Sequence, residues 1–230
     1  MPAVLPDIPA TETLVIELTN KVRGREKLGS VKQDKALTAA ARAYALYLSK
    51  TAAFSHTADG QQPAARADAA GYRLCQIAEN LAQAENSDGF AAKELATQTL
   101  EGWLNSPGHR ANLLAAHVTD IGVAVARVPG TYPKYVVVQM VGRPQALATE
   151  FQVSNATKDP VTYALSGSSH VIKPGTGIKH TVCEPKTLEF RLAGKAALSG
   201  KYAAENGKVY TVTADGGRIR VDVKTRDTVR

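Results

Sequence analysis

Apolar residues in the first half of the chain recur every three or four positions, the spacing of one face of a helix. A first helix carries one apolar face and ends near Gly29, and that face consists of Leu14, Val15, Leu18 and Val22. A second helix, with Asp34 as its N-cap, carries a longer apolar face: Leu37, Ala41, Tyr44, Ala45 and Leu48. Both patterns predict amphipathic helices packed on a core.

Three shorter helices are predicted from the residues at their ends. Pro63 opens one helix and Gly71 stops it, since proline favours a first turn and glycine a terminus. Ser87 caps the next helix, which turns a set of residues inward: Ala91, Leu95 or Ala96, Leu100 and Trp103. We therefore expect Trp103 to lie in the core. The cap and first turn of the last helix, just before His109, are Ser106 and Pro107.

Two apolar runs of strand length, 121–128 and 135–141, follow these helices. The turn-forming segment 129–133 between them predicts an antiparallel hairpin. Helices packed on an antiparallel sheet give an α+β layered fold.

The pattern changes near residue 150. Short β-type runs, such as 161–165 and 188–192, alternate with turn-forming residues, and Asn206-Gly207 and Asp215-Gly216 are typical of hairpin turns. We predict a small all-β domain over residues 151–230, a sandwich or a barrel, joined to the first domain by a linker at 144–150.

Composition limits the class of protein. Of 230 residues, 44% are apolar and 21% charged, as in folded globular domains. No apolar run is long enough to span a membrane, so no transmembrane segment is expected. The N-terminal residues lack the basic segment and apolar stretch of a signal peptide. They would suit a mature N-terminus to which a starting methionine was added.

The net charge of +7 is unevenly distributed. Residues 1–150 hold 15 Lys and Arg against 14 Asp and Glu, whereas residues 151–230 hold 13 against 7. The basic second part suits an anionic envelope surface, or simply a solvated strand face. Because it lacks an aromatic stripe interleaved with basic residues, we expect no nucleic-acid binding.

Three separated polar segments carry the candidate chemistry. They are Phe54-Ser55-His56-Thr57, Ala78-Glu79-Asn80-Leu81, and the run from Trp103 to Leu114 that contains Ser106-Pro107-Gly108-His109-Arg110. Two histidines and a carboxylate beside small or turn-forming residues can line a polar cleft. The other histidines, His117, His170 and His180, have no matching partners in the sequence, so we expect them at the surface.

In order and spacing, these segments resemble the CAP superfamily: cysteine-rich secretory, antigen 5 and pathogenesis-related proteins. The similarity is greatest to the bacterial members with an SCP-like domain, and it covers about residues 10–143. The resemblance implies an α–β–α sandwich, an extracellular or periplasmic location, and a cleft lined by His56, Glu79, Asn80 and His109. Many members carry a second cleft glutamate three residues after the tryptophan, where this chain has Ser106.

The implied cleft allows several kinds of chemistry. His56 and His109 could bind Zn²⁺, the one cofactor suggested, but catalytic zinc usually has three protein ligands, so such a site would be weak. Glu79 could orient an imidazole or act as a general base. Ser55 adjoins His56, and Ser106 lies three residues before His109, but neither stands in a recognisable triad motif. All the cleft residues could instead be purely structural.

The two cysteines, Cys75 and Cys183, leave two interpretations open. They are either unrelated small apolar residues or one disulfide that ties the two domains together in an oxidising compartment.

We expect binding rather than turnover. The leading hypothesis is an exported protein whose cleft holds a metal or a small ligand, a lipid included. One alternative is a metal-assisted hydrolase or peptidase with His56 and His109 as ligands and Glu79 as base. Another is an envelope scaffold that acts through residues 151–230.

Overall fold

The computed structural model describes residues 3–192, 201–215 and 218–226. The chain divides into two compact units, Met1–Ala146 and Leu147–Arg230. Within the described residues, no helix is both long and apolar enough to cross a membrane.

The first unit contains five helices and a four-stranded sheet. The helices are α1 (Ile8–Arg25), α2 (Lys35–Lys50), α3 (Pro63–Ala69), α4 (Ala92–Leu104) and α5 (Pro107–Leu113). The strands are β1 (Lys32–Gln33), β2 (Leu74–Glu85), β3 (Asp120–Val128) and β4 (Lys134–Pro144). They lie in the order β1-β3-β4-β2, with only β1 parallel to its neighbour. The predicted hairpin is β3 with β4.

The sheet of the first unit is buried on both faces, which explains the unbroken apolar runs of β3 and β4. Val123 of β3 and Val137 of β4 belong to the core shared with α1 and α4. Ala124 and Val138, the next residues along each strand, face α2 and α3. The unit is therefore an α–β–α sandwich, as predicted.

Helix α2 begins and packs as its sequence predicts. The Asp34 side chain accepts a hydrogen bond from the Leu37 amide at 2.9 Å, and all five predicted apolar positions are buried. The helix lies so close to β3 that a Cβ atom at Gly122 would stand 2.2 Å from the carbonyl carbon of Leu37. Glycine is needed at Gly122 because only a hydrogen atom fits there.

Two details differ from the helix predictions. The first concerns α1, which turns Thr11, Val15, Thr19 and Arg23 fully inward, while Leu14, Leu18 and Val22 are only partly buried at its flank. The polar residues can be buried because their side chains find hydrogen-bond partners inside the unit.

The second detail is the start of helix α4, which begins later than predicted, with Ala91 rather than Ser87 at its N-cap. Ala91 is exposed. Trp103, at the other end of α4, is 1% exposed and donates from Nε1 to the Leu81 carbonyl at 2.9 Å. Its predicted place in the core is confirmed.

The second unit is all β. Its strands are β5 (Thr149–Asn155), β6 (Val161–Leu165), β7 (Ser168–Ile172), β8 (Gly177–Val182), β9 (Thr187–Leu192), β10 (Lys201–Ala203), β11 (Lys208–Asp215) and β12 (Arg218–Thr225). They form two four-stranded sheets, β10-β9-β6-β7 and β12-β11-β5-β8. One apolar core, including Phe151, Tyr163, Phe190 and Tyr210, draws residues from both sheets. This is a sandwich, and the described strands close no barrel.

Of the two hairpins predicted in the second unit, one is present and the other is not. Strands β11 and β12 pair as a hairpin from Lys208–Thr225 to Asp215–Arg218, although Gly216 lies outside the described residues. Asn206-Gly207 is not a hairpin turn, because β10 and β11 belong to different sheets. Gly207 has a φ of 73°, so its backbone still uses the freedom of glycine to connect them.

Candidate functional site

Glu79 and Asn80 lie in the middle of β2, the strand at the edge of the sheet. Glu79 pairs in register with Met140 and Asn80 with Gln139 of β4. Because successive side chains of a strand alternate, Glu79 faces the layer of α2 and α3, whereas Asn80 faces α1 and α5.

The Glu79 carboxylate is buried in an ion pair that the sequence analysis missed. Arg66 of α3 donates from Nη2 to both carboxylate oxygens, at 3.0 Å to Oε1 and 2.8 Å to Oε2. The His56 Nδ1 atom lies 2.8 Å from Oε1. The Glu79 side chain is 1% exposed and that of Arg66 is 6% exposed. The Glu79 carboxylate therefore contacts Arg66 and His56 together, almost closed off from solvent.

Arg66 also holds the loop that carries His56. Its Nη2 donates to the His56 carbonyl at 2.9 Å, and its Nη1 donates to Asp59 Oδ1 at 2.9 Å. The guanidinium carbon lies 3.5 Å from the centre of the Tyr44 ring, and the Tyr44 hydroxyl donates to the Ser55 carbonyl. Helix α3 therefore fixes the backbone and the side chain of His56 through one residue.

His109 comes from the opposite helical layer. Its imidazole is partly buried on α5, and this burial lowers its pKa below the ordinary value for histidine. The nearby His56 lowers the pKa of His109 further. Neutral His109 thus offers a nitrogen lone pair. Since Nδ1 of His56 contacts Glu79, its Nε2 is the nitrogen left for a ligand, and the His56 side chain is 48% exposed.

Helix α5 is attached to β2 by amide side chains. Asn80 donates from Nδ2 to the His109 carbonyl at 3.2 Å. Asn112 donates to the Glu79 carbonyl at 3.1 Å and to Asn80 Oδ1 at 2.9 Å. Asn80 therefore positions His109 through the backbone. Ser106 occupies the predicted N-cap, but its side chain makes no capping hydrogen bond.

Arg23 supports the other end of α5. Its buried guanidinium donates to the carbonyl oxygens of Leu113 at 2.8 Å and Ala115 at 2.9 Å. Burial lowers the pKa of Arg23. Carbonyl groups at a helix C-terminus carry partial negative charge, so they partly compensate the buried cation.

The donor set does not fit a tightly held catalytic metal. His56 and His109 supply two imidazoles, while both Glu79 oxygens contact Arg66. No group of three or more His, Cys, Asp or Glu side chains stands ready to hold a metal ion among the described residues. Among the described residues, Ser55 Oγ accepts only from the Thr57 amide, at 3.4 Å, so these surroundings do not form a serine triad.

Two of the remaining histidines meet in the second unit rather than standing alone at the surface. The imidazole rings of His170 and His180 lie 5.1 Å apart, centre to centre. Nε2 of His180 and the Tyr163 hydroxyl share a short hydrogen bond. The expectation that these histidines have no partners is wrong, because strand pairing brings together residues that are distant in sequence.

Comparison with known proteins decides the family. The pattern of the CAP, or cysteine-rich secretory protein, family matches residues 16–141, more than half of the chain. The chain belongs to this family. The CAP match falls on the first unit, which carries all four cleft residues.

Individual relatives are distant. The uncharacterized protein YkwD of Bacillus subtilis (strain 168) is 28% identical over 117 residues, which cover 50% of this CAP protein and 42% of YkwD. The chain thus spans less than half the length of that curated relative.

A solved structure of a bacterial protein shares the fold. An outer surface protein from Borrelia burgdorferi is 20% identical, with a TM-score of 0.51, over 58% of this chain and 92% of that chain. An extracellular protein containing an SCP domain from Bacillus anthracis str. Ames is 26% identical, with a TM-score of 0.48, over 59% of this chain and 41% of that chain.

Proposed function

We propose that this CAP protein binds, outside the cell, a small polar ligand or a loosely held divalent metal ion without turning over a substrate. The binding groups are the imidazoles of His56 and His109. Asn80 and Glu79 position them from the two faces of β2. An exterior location agrees with the structural similarity to an outer surface protein from Borrelia burgdorferi.

The observation that carries this proposal is that the Glu79 carboxylate contacts Arg66 and His56 at the same time. A general base needs a lone pair within reach of the proton it abstracts. Both Glu79 oxygens instead accept hydrogen bonds from a buried guanidinium, and one of them also contacts His56. This arrangement holds the Glu79 carboxylate in place and shields it from solvent, which suits the support of an imidazole better than the transfer of a proton. It argues against the metal-assisted hydrolase.

Calorimetric titration with Zn²⁺ alone tests the metal-binding form of the proposal. We expect one weak, saturable site in the full chain, and we expect it to be lost in the His56→Ala/His109→Ala variant. His117→Ala is the matched control, since His117 lies outside the cleft. Binding that survives the double substitution would contradict the assignment, as would steady hydrolysis of a peptide mixture by the zinc-loaded protein.

The charge of the second unit supports one further role, attachment to an anionic envelope surface. Residues 151–230 hold 13 of the 28 Lys and Arg residues but only 7 of the 21 Asp and Glu residues, and Lys179 and Lys224 are exposed. The full chain should sediment with phosphatidylglycerol vesicles and not with phosphatidylcholine vesicles, and salt should weaken that binding. Lys179→Glu/Lys224→Glu should reduce it more than Lys21→Glu/Lys93→Glu. Equal loss in both variants would count against this role.

A further inference from the structure

A second concave site lies beside the cleft, between α2 and α3. It is a cavity of about 450 Å³, within the range of small-molecule sites. Its walls are largely alanine methyl groups, among them Ala39, Ala43 and Ala70, together with the side chains of Tyr44 and Tyr47. Ala39, Ala43 and Tyr47 are exposed, so the cavity is open to solvent. Such small side chains leave room for an apolar body.

The polar end of this cavity has more negative than positive charge. Asp59 and Arg66 line it, and Glu79 pairs with Arg66 from behind. Two carboxylates therefore share one guanidinium. Asp59 Oδ1 accepts from Arg66 and from the Gln61 amide at 3.0 Å. The second oxygen, Oδ2, accepts no hydrogen bond from the described residues, and the Asp59 side chain is 16% exposed.

The aromatic wall of the cavity also favours a positively charged ligand. Tyr44 and Tyr47 are stacked, with ring centres 6.2 Å apart and planes 6° from parallel. The face of a tyrosine ring attracts a cation. Arg66 already uses the Tyr44 ring in this way, and the exposed Tyr47 ring remains for a ligand. One buried donor, Arg66 Nε, has no hydrogen-bond partner among the described residues. This nitrogen is shielded from solvent, and the guanidinium charge is already neutralised by Asp59 and Glu79.

From these contacts we propose that the cavity between α2 and α3 binds a small amphiphilic amine. The ammonium group pairs with Asp59 Oδ2 beside the Tyr47 ring, and the apolar body lies against the alanine wall. This site goes beyond the proposed cleft function and uses neither imidazole. Arg66 contacts both sites.

The binding test compares three probes with the same eight-carbon body: octylammonium, 1-octanol and octanoate. Followed by ¹H–¹⁵N chemical shifts, octylammonium should give saturable shifts at Ala39, Ala43 and Asp59. We expect it to bind about tenfold more tightly than 1-octanol, the factor of one charge-assisted hydrogen bond, and octanoate to bind most weakly. Equal or tighter binding of octanoate would overturn the proposal, as would no saturable shift with octylammonium.

Matched variants separate this cavity from the rest of the surface. Asp59→Asn should abolish the preference for the amine, whereas Asp68→Asn, which changes an exposed carboxylate on α3, should leave it intact. Ala43→Phe should fill the cavity and block both octylammonium and 1-octanol, and Ala65→Phe on exposed α3 surface should not. If Asp59→Asn does not fold, the Ala43 and Ala65 pair decides. The His56→Ala/His109→Ala variant should still bind octylammonium, so the proposal for the cavity is tested separately from the proposal for the cleft.

Discussion

Arg66 is the residue on which the cleft depends most. Its guanidinium meets Glu79, Asp59, the His56 carbonyl and the Tyr44 ring while remaining almost fully buried. Removing one partner of a buried ion pair leaves the other charge uncompensated, which costs far more than the pair contributes in total.

We therefore expect Arg66→Met to lower the free energy of unfolding by about 3–5 kcal/mol. Arg110→Met is the control, because Arg110 pairs with Glu26 where both side chains are about half exposed, and such pairs are worth roughly 0–1 kcal/mol. Urea unfolding followed by the fluorescence of Trp103, the only tryptophan, reports on the CAP unit alone. Equal losses in the two variants would show that Glu79 does not depend on Arg66.

His109 should make the stability of the CAP unit sensitive to pH. Burial lowers the pKa of folded His109, so the unfolded chain binds its proton more readily. The contribution of His109 is then intact above the unfolded pKa of about 6.5 and is lost as the pH falls from there through the folded pKa.

His109→Gln should remove this part of the pH dependence, and His117→Gln controls for the loss of an imidazole elsewhere. Urea midpoints measured by Trp103 fluorescence between pH 7.5 and about 5 span the unfolded pKa of histidine. An unchanged slope in His109→Gln would mean that the imidazole is not held in a low-polarity site.

Among single residues, the sequence identifies those that supply chemistry better than those that position them. His56, Glu79 and His109 stand in recognisable segments. Arg66 stands in a seven-residue helix with no apolar pattern around it, where an arginine is typically a solvated surface group. Its partner Glu79 lies 13 positions away, so only the tertiary fold reveals the pair.

At the scale of elements, the contact of α2 with β3 can be tested through two glycines. Gly122→Ala places a methyl group against the backbone of α2, which cannot move aside as a side chain tip can. We expect a loss of about 1–3 kcal/mol or more. Gly102 lies inside α4 with open space around it, so Gly102→Ala should gain roughly 0.5–1 kcal/mol from helix propensity.

Thermal unfolding of both variants, again followed by Trp103 fluorescence, tests this packing. The midpoint temperature should fall for Gly122→Ala and rise for Gly102→Ala. A Gly122→Ala protein as stable as the parent would mean that α2 stands further from the sheet.

Elements with a local signal were predictable and the others were not. Helix α2 has a complete apolar face and a capping aspartate, so propensity and packing agree. Strand β2 gave no such signal, because Glu79 and Asn80 interrupt its apolar residues although both are buried. Their polar groups are satisfied by Arg66 of α3 and by Gln139 of β4. A pattern that scores polar residues as exposed cannot detect such a strand.

At the scale of the whole molecule, the pairing of Cys75 with Cys183 stays a prediction. The two residues belong to different units, so one disulfide would join the units covalently. Protein made under oxidising conditions should be lighter by two hydrogens than its reduced form. After cutting at a protease site inserted near residue 148, the halves should separate on a gel only when reductant is added. Separation without reductant, or equal masses, would exclude the bond.

The ion pair of Glu79 and Arg66 also bears on how the sheet assembles. Strand β2 lies at one edge of the sheet and has β4 as its only neighbour among the described strands, so one strand alone sets its register. A slip of one position would turn every side chain of β2 to the opposite face. The carboxylate would then face α1 and α5, and the guanidinium would meet the Asn80 amide or the Ala78 methyl group, depending on the direction of the slip. The ion pair therefore favours the native register of β2, because a slip by one position would separate the two buried charges.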